Sequence, residues 1–406
     1  MTTNHAGSAQ QATQKRKVAI VMGTRPDAIK MAPVAFACRA YAERLNPMIV
    51  LTAQHRQMLD QVLDVFELVP EVDLNIMREN QQLGDLTARL LTSLEALWRR
   101  ARPDMVLVQG DTTSSMAAAL AAYYVKIPVG HVEAGLRTQD KYAPFPEEMN
   151  RRLIGALADV HFAPTPTARE HLVREGIADP SIHVTGNTGI DALLHTMAWI
   201  QRTGFIPPEL DAALLGYERL VLVTAHRREN FGEGVRGICE GLKTIARARP
   251  DTAILYPVHP NPNVREPVHA ALRDVPNIYL TTPLAYRSFV YVMGRAEVIL
   301  TDSGGIQEEA PSLGTPVLVM RQATERVEAV DAGVSELIGT HPARIAERTL
   351  AILEHPKPPI AGANPFGDGH AAARIVQVII ERLSSGQGNP RFEVGSWKLE
   401  VGSAKR

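Results

Sequence analysis

The sequence predicts an α/β protein with two Rossmann-like, doubly wound domains and a cleft between them. From Lys17 onward, short β-branched runs alternate with longer amphipathic segments, which is typical of parallel strands wrapped by helices. The 406 residues exceed what one hydrophobic core usually supports. The alternation also runs through twice, with a break at the turn Gly186 to Gly189. We therefore expect two domains of the same architecture.

Six runs in the first half are expected to be strands, because each is short, apolar and rich in β-branched residues. They lie at Val18 to Met22, Met48 to Thr52, Met105 to Val108, Pro128 to Val132, Val160 to Ala163 and Ile182 to Val184. The Ala-rich segment Ser115 to Val125 is expected to be a tightly packed crossover helix. Thr167 to Glu170 fits a capping box at the start of another helix.

The second half repeats the pattern with five expected strands. They lie at Leu220 to Thr224, Ala253 to Pro257, Ile278 to Leu280, Val298 to Leu300 and Val317 to Met320. The Ile/Val-rich run within Phe366 to Leu383 would suit a strand, but its length and the start at Ala371 to Ala373 favour a helix. The expected organisation is a disordered start, two domains, a final helix and a tail, at 1–16, 17–187, 188–365, 366–385 and 386–406.

The composition excludes several classes of protein. Lys plus Arg (43) balance Asp plus Glu (44), so the chain lacks the basic surface of a nucleic-acid binder and any electrostatic attraction to an anionic membrane. Cys38 and Cys239 are isolated, which favours a reducing compartment. Met1 to Lys17 lacks the apolar centre of a signal peptide, and the longest apolar stretch, Met116 to Val125, is too short to span a bilayer. We expect a soluble, cytoplasmic protein.

The segment from Val298 to Glu309 predicts a site for a nucleotide diphosphate. An apolar strand is followed by Ser303-Gly304-Gly305 and then by a helix. Glycines let the backbone approach phosphates, and the free N–H groups of a helix start face the anion. Glu308 and Glu309 are expected in the first helical turn, where a carboxylate can accept hydrogen bonds from a ribose diol. The alternative is an ordinary turn whose glycines serve only geometry.

Polar residues follow the other strands as well, at the sheet edge where open α/β proteins bind ligands. In the first half they are Arg25, Lys30, Gln54, His55, Asp111 and Glu133, and in the second half His226 to Arg228 and His259. Two such edges facing each other would form one charged cleft. We expect Arg25, Lys30, His226 and Arg326 to face the diphosphate, although exposed cations more often form a solvated surface.

Three carboxylates are the candidate acid–base groups. Asp111 and Glu133 follow strands that would lie about 4.8 Å apart if they are neighbours. Glu147 lies on a proline-rich loop. Close carboxylates push their pKa values apart, which provides one acid and one base. The alternative is that they form helix caps and surface ion pairs.

Two cofactor classes are not predicted. The run Gly232 to Gly237 matches GxGxxG, but it begins eight residues after the strand that ends at Thr224, whereas a dinucleotide fingerprint needs its glycines in the tight turn itself. No HExxH or comparable ligand spacing indicates a metal. We therefore expect neither NAD nor a metal.

Taken together, these motifs resemble the non-hydrolysing UDP-N-acetylglucosamine 2-epimerases over about Lys17 to Leu383. The matching runs are Gly-Thr-Arg-Pro at 23 to 26, Thr-Ala-Gln-His-Arg at 52 to 56, Gly-Asp-Thr-Thr at 110 to 113, His-Val-Glu-Ala-Gly-Leu-Arg at 131 to 137, Pro-Glu-Glu at 146 to 148, His-Arg-Arg-Glu-Asn at 226 to 230, Asp-Ser-Gly-Gly-Ile-Gln-Glu-Glu at 302 to 309, Thr-Glu-Arg at 324 to 326 and Asn-Pro-Phe-Gly-Asp-Gly at 364 to 369.

The resemblance implies a GT-B-like pair of domains, with the last helix crossing back onto the first. It also implies interconversion of UDP-GlcNAc and UDP-ManNAc without a redox cofactor, and a homodimer. It places acid–base roles on Asp111, Glu133 and Glu147, with His226 beside the phosphates. The substrate contacts it implies are Arg25, Lys30, Arg151, Phe289, Ser303, Gly304, Gly305, Glu309 and Arg326. A second UDP-GlcNAc, bound as an activator in some members, would meet Gln54, His55, Gln57 and His259.

Three positions differ from the usual pattern of that family. Asp27 stands where Glu is common, Gln109 where His is common, and Val327 where Pro is common. We expect these differences to affect substrate preference and rate rather than the reaction. Three other functions remain open: a glycosyltransferase of the same build, a non-catalytic sugar-nucleotide sensor, and a hydrolysing epimerase that releases N-acetylmannosamine.

Overall fold

The protein contains two parallel β-sheets, each covered by helices on both faces. The computed structural model describes residues 15–52, 56–76, 78, 81–210, 212–354 and 364–385. The first sheet has the strand order β3-β2-β1-β4-β5-β6-β7, and the second has the order β10-β9-β8-β11-β12-β13. The strands are β1 Arg16–Met22, β2 Leu45–Leu51, β3 Val72–Asp73, β4 Met105–Gln109, β5 Val129–Val132, β6 Val160–Ala163, β7 Ile182–Val184, β8 Arg219–Thr224, β9 Thr252–Pro257, β10 Ile278–Thr281, β11 Val298–Thr301, β12 Val317–Val319 and β13 Ser335–Leu337.

Helices connect almost every pair of successive strands, as parallel sheets require. They are α1 Arg25–Ala40, α2 Arg56–Val65, α3 Leu83–Ala101, α4 Thr113–Tyr124, α5 Glu147–Leu157, α6 Pro166–Arg174, α7 Thr188–Thr203, α8 Ala212–Leu215, α9 Glu233–Ala248, α10 Pro262–Leu272, α11 Tyr286–Arg295, α12 Gly304–Glu309, α13 Val327–Asp331, α14 Pro342–Glu354 and α15 Ala371–Ser384. The predicted fold class is confirmed.

Each sheet reverses its strand order once, between β1 and β4 in the first and between β8 and β11 in the second. At such a point the loops leaving two neighbouring strands run to opposite faces, and a crevice opens beyond their carboxyl ends. The segments that follow these four strands include the candidate residues Arg25, Asp111, His226 and Ser303. The central strands are buried along nearly their whole length, which is why their sequences are continuously apolar.

All eleven predicted strands are present, with ends that differ by no more than three residues. Two strands were missed, β3 and β13. Both are edge strands of two or three residues with a single apolar residue each, Val72 and Leu337, whereas the equally short β7 has two, Ile182 and Val184. The domain boundaries at 187/188 and 365/366 stay predictions. The tail at 386–406 and residues 1–14 lie outside the described part of the chain.

Three helix predictions need correction. Helix α6 begins at Pro166, because proline suits the first helical position. Its cap is Thr165, whose side chain accepts a hydrogen bond from the Ala168 N–H. The predicted capping box at Thr167 is therefore wrong. The final helix begins at Ala371 rather than Phe366, since buried Asp191 accepts hydrogen bonds from the N–H groups of its first two residues. Helix α12 spans only Gly304–Glu309, so Glu308 and Glu309 end it instead of lying in its first turn.

The chain passes between the two halves at two segments that touch each other. The Asn187 N–H donates to the Phe366 carbonyl at 2.7 Å. Gly186 has φ +93° and Gly367 has φ +149°, and a Cβ on Gly367 would lie 3.3 Å from the backbone nitrogen of Asn187. Glycine is required at both positions because of this conformation and close approach. Beyond the crossing, α15 packs on α1 and α7.

The last glycine of the GxGxxG match, Gly237, and the following Gly241 serve helix packing. A Cβ on Gly237 would lie 2.3 Å from the Thr340 carbonyl oxygen, and one on Gly241 would lie 3.0 Å from the side chain of Ile345. These small residues let α9 lie close against the start of α14.

Candidate active site

A cleft lined by both halves of the chain collects most of the predicted site residues. A cavity of about 1030 Å³ is bounded by residues that include Glu133, Arg151, Arg227 and Arg326. A second cavity of about 310 Å³ is lined mainly by the second half of the chain. It is bounded by residues that include Arg25, His226, His259, Phe289, Ser303, Gly305 and Glu309. The two sheet edges therefore face each other, as the sequence predicted.

Glu133 is held in a buried network directly after β5. Its backbone has φ +62°, a conformation that non-glycine residues rarely adopt. The Lys30 ammonium group donates to both carboxylate oxygens, at 2.6 and 2.7 Å, and the Gln109 amide donates to Oε2. Burial raises the pKa of the Glu133 carboxyl, and Lys30 opposes that rise. Burial alone would lower the pKa of Lys30, but Glu133 and the acids of α12 raise it above its ordinary value, so the amine stays charged.

Asp111 lies at the end of the neighbouring strand, in an ion pair with Arg151. The guanidinium Nε donates to Asp111 Oδ2 at 2.8 Å, and a second contact from the same group measures 2.6 Å. Strands β4 and β5 pair in register, with Gln109 opposite Val132. Asp111 and Glu133 therefore follow adjacent strand ends, as predicted. Arg151 comes from α5 and lines the large cavity.

The two glutamates that begin α5 have different surroundings. Glu148 is fully buried and accepts hydrogen bonds from the Thr138 N–H at 3.1 Å and from Arg151 and Arg152. Burial raises the pKa of Glu148, but the Thr138 N–H and the two arginines lower it below its ordinary value. Glu147 is half-buried at the start of the same helix. Glu148 thus has a structural role, which leaves Glu147 as the acid–base candidate of this pair.

Asp302 organises the loop after β8, although the sequence analysis gave it no role of its own. Its fully buried carboxylate accepts hydrogen bonds from the N–H groups of His226 and Arg227, both at 2.9 Å, and from the Asn230 amide at 3.0 Å. The His226 ring stacks on His259 with 5.5 Å between centroids. Burial lowers the pKa of His226, and Asp302 opposes this. The imidazole therefore faces the smaller cavity mainly in its neutral form.

The Ser303 to Gly305 turn is packed against Arg326. A Cβ on Gly304 would lie 2.8 Å from the guanidinium carbon of Arg326, so a larger residue there would displace the guanidinium group. Gly305 is open, since the nearest atom to a Cβ there is Glu309 Oε1 at 4.0 Å. Burial, together with the negative charge of Glu308, raises the pKa of Glu309 to about 7.

Glu308 has its partners within the protein. Its carboxylate accepts hydrogen bonds from Arg326 Nε at 2.8 Å and from the Asn187 amide at 2.7 Å. Its carbonyl accepts from the Asn364 amide at 2.7 Å. Glu308 therefore links Arg326 to both crossing segments, and Glu309 is the acid of this pair that faces the smaller cavity.

The remaining predicted positions divide into two groups. Gln54, His55 and the side chain of Gln57 lie outside the described part of the chain, and of the candidate activator residues only His259 is placed. Asp27 is buried and caps α1, where it accepts hydrogen bonds from the N–H groups of Gly23 and Thr24. Val327 begins α13, half exposed, at the wall of the large cavity.

Two further observations concern metals and membranes. Among the described residues, no group of three or more His, Cys, Asp or Glu side chains is arranged to hold a metal ion. Within the same residues, the helices are too short or too polar to cross a membrane.

The UDP-N-acetylglucosamine 2-epimerase family model matches residues 37–380. A curated UDP-N-acetylglucosamine 2-epimerase of Escherichia coli K12 is 51% identical over 369 residues, which cover 89% of this chain and 98% of the relative. The chain belongs to the UDP-N-acetylglucosamine 2-epimerase family.

Solved members of this epimerase family share the fold. The UDP-GlcNAc 2-epimerase of Neisseria meningitidis, bound to UDP-GlcNAc, is 45% identical with a TM-score of 0.79, covering 90% of this chain and 100% of its own. The enzyme of Methanocaldococcus jannaschii, in complex with UDP-GlcNAc and UDP, is 33% identical with a TM-score of 0.73, covering 90% and 99%.

Proposed function

We propose that the protein interconverts UDP-GlcNAc and UDP-ManNAc by eliminating UDP and adding it back. The observation that carries this proposal is that one cavity is lined by Glu133 of the first half and by Arg326 of the second. The site thus presents a carboxylate and a cation to the same ligand. A relative at 45% identity binds UDP-GlcNAc, which supports the choice of substrate.

Elimination is the chemically economical route for this site. The hydrogen on C2 of the sugar has no adjacent ring carbonyl, so its removal as a proton would leave an unstabilised carbanion. If UDP departs from C1 as a carboxylate takes the C2 proton, a glycal forms instead. Protonation on the opposite face of C2 and return of UDP to C1 then give the epimer. The sugar undergoes no net oxidation or reduction.

The proposed roles follow the geometry of the cleft. Asp111, Glu133 and Glu147 share the acid and base steps. The departing diphosphate gains negative charge, which the Ser303 to Gly305 turn and the surrounding cations stabilise. The cations are Arg25 and Arg326, which line the cleft, and Lys30, which contacts Glu133. His226 donates to the diphosphate as a neutral ring, and Arg151 and Phe289 are further substrate contacts. The Glu309 carboxyl accepts hydrogen bonds from the ribose diol, which favours its ionised form.

Retention of UDP distinguishes this reaction from hydrolysis. The intermediate survives only if water is excluded and UDP stays bound, which closure of the two halves over the cleft would provide. The ion pairs Lys30–Glu133 and Arg151–Asp111 hold the acids in place before the substrate arrives.

The test is incubation with UDP-GlcNAc in heavy water, without any acceptor, followed by sugar-nucleotide chromatography and mass spectrometry. We expect UDP-ManNAc with one deuteron at C2, and strong loss of both signals in Asp111→Asn and Glu133→Gln. Asp251→Asn, which alters an exposed ion pair with Arg249, is the matched control and should keep full activity.

Each rival function gives a different result in that assay. A glycosyltransferase would leave C2 unlabelled, and a hydrolysing epimerase would release free N-acetylmannosamine with UDP. A sensor would bind UDP-GlcNAc and convert none of it. Asp111→Asn and Glu133→Gln would leave its properties unchanged.

The finer family properties are also part of the proposal. We infer a homodimer, which sedimentation would check, and a second UDP-GlcNAc bound next to His259 as an activator. In that case the initial rate should depend sigmoidally on UDP-GlcNAc concentration. His259→Ala should abolish this sigmoidal dependence and change the maximal rate less.

A further inference from the structure

Gln109 contributes a buried side chain to the site without facing the cavity. It ends β4 and is 3% exposed, and its amide donates to Glu133 Oε2. Its backbone is fixed as well, because its carbonyl accepts from the Ser115 hydroxyl at 2.7 Å. The next residue, Gly110, donates its N–H to the Val132 carbonyl at 2.9 Å. Gln109 and Glu133 are therefore joined by their side chains, and the residues beside them, Gly110 and Val132, are joined by their backbones.

The contacts of the Glu133 carboxylate show what the amide adds. Lys30 contacts both oxygens almost equally, at 2.6 and 2.7 Å. An ammonium group is a point charge that sits between two oxygens without setting the plane of the carboxylate. The Gln109 amide, in contrast, is a directional donor to one oxygen. Glu133 also has a strained backbone, and such conformations persist only where several contacts determine them.

We propose that Gln109 is a positioning residue for Glu133: its amide sets the carboxylate plane and, because it gains no proton, leaves the charge around that carboxylate constant over the working pH range. The inference rests on the proposed function. The charged groups that act on Glu133 from other elements are Lys30 of α1, Asp111 after β4, and Glu308 of α12. The charge of Glu133 in turn raises the pKa values of Glu309 and Arg326. His131 contacts the Gly110 carbonyl instead.

The proposal predicts different effects for three substitutions. Gln109→Leu removes the donor at similar volume and should lower kcat roughly 10- to 100-fold, with KM changed less than about twofold, because misplacement of a reacting group costs about this much. Gln109→Asn shortens the donor and should give an intermediate loss. Gln109→His supplies an N–H and should retain most activity at pH 8. As the pH falls and the imidazole beside Glu133 gains a proton, kcat should fall more steeply than in the wild type.

The matched control is Asn277→Ala, directly before the edge strand β10 of the second sheet. Asn277 is also a buried amide, 6% exposed, and it donates to the carbonyls of Ala246, Arg249 and Thr252. Its loss should lower Tm and leave kcat and the pH profile unchanged. If Gln109→Leu keeps wild-type kcat, or if Gln109→His shows the wild-type pH profile, the positioning role is refuted.

A measurement that needs no turnover separates this inference from the proposed function. In protein labelled with ¹³C at glutamate side-chain carboxyls, the Glu133 signal is the one absent from Glu133→Gln. We expect its shift and titration to change in Gln109→His and Gln109→Leu, and to stay unchanged in Asn277→Ala. An inactive wild type with these spectral changes would refute only the epimerase proposal. An active wild type with an unperturbed Glu133 signal would refute only the role of Gln109.

Discussion

Replacing Lys30 by methionine tests how strongly the buried ion pair holds the first half of the molecule. The Lys30 and Glu133 side chains are 20% and 8% exposed, and the ammonium group lies 2.6 Å from the nearer carboxylate oxygen. Removal of one partner leaves a buried charge, which costs about 3–5 kcal/mol of unfolding free energy. At about 2–4 °C per kcal/mol for a unit of 150–250 residues, Tm should fall by about 6–20 °C.

The loss should depend on pH with a defined sign. Without Lys30, burial raises the pKa of Glu133 above its ordinary value of 4.5, and no cation of similar proximity opposes the rise. A group with a raised pKa destabilises the folded state only where it must ionise, so the penalty is absent below about pH 4.5 and grows as pH rises through the folded-state pKa. Lys30→Met should therefore lose more stability at pH 8 than at pH 5.

Urea unfolding followed by circular dichroism at pH 5, 6, 7 and 8 measures this. The double variant Lys30→Met/Glu133→Gln should recover most of the loss, because it buries no charge. Lys243→Met breaks the pair with Glu240, whose side chain is 60% exposed, and should cost less than about 1 kcal/mol. A loss that is equal at all four pH values, or a double variant as unstable as Lys30→Met, would refute the reasoning.

Three further predictions concern other parts of the molecule. Burial lowers the pKa of His131 to about 3 and that of His161 to about 4, so each neutral ring stabilises the folded protein fully above pH 6.5 and less below it. Between pH 6.5 and 5, each ring lowers the free energy of unfolding by at most about 2 kcal/mol. His161→Gln should therefore make the urea midpoint fall less steeply over this range. Arg326→Lys should weaken UDP binding about tenfold by calorimetry, because an ammonium group cannot contact Glu308 and the diphosphate with a planar fork. Asn187→Ala should cost about 1.5–3 kcal/mol in urea unfolding, since it removes a hydrogen bond to a buried carboxylate.

The sheet edges were predictable because strand ends are readable from the chain. Parallel strands bring their carboxyl ends to one edge, so Asp111 and Glu133 had to lie near each other once their strands were adjacent. Buried strands such as β4 have continuous apolar sequences and were found. The edge strands β3 and β13 are short and contain only one apolar residue each, so they carry no such signal.

The partners of the site residues were not predictable in the same way. Arg151 binds Asp111 from 40 residues away, and Asn187 reaches Glu308 across 121 residues. Such pairs depend on how helices are placed, which no local pattern encodes. The resemblance named Arg151 without its partner, and nothing in the sequence assigned a role to Asp302 or a contact to Gln109.

The crossing of the chain at Gly186 and Gly367 has a consequence for biosynthesis. Residues of α15, including Ile375 and Ile379, share one hydrophobic cluster with Met31 and Val34 of α1. A nascent chain therefore exposes the apolar surface of α1 that α15 covers until residue 384 has been synthesised, and we expect chains truncated before Ala371 to aggregate or be degraded. The amino-terminal half is synthesised first but acquires its last packing layer only after α15 has been synthesised.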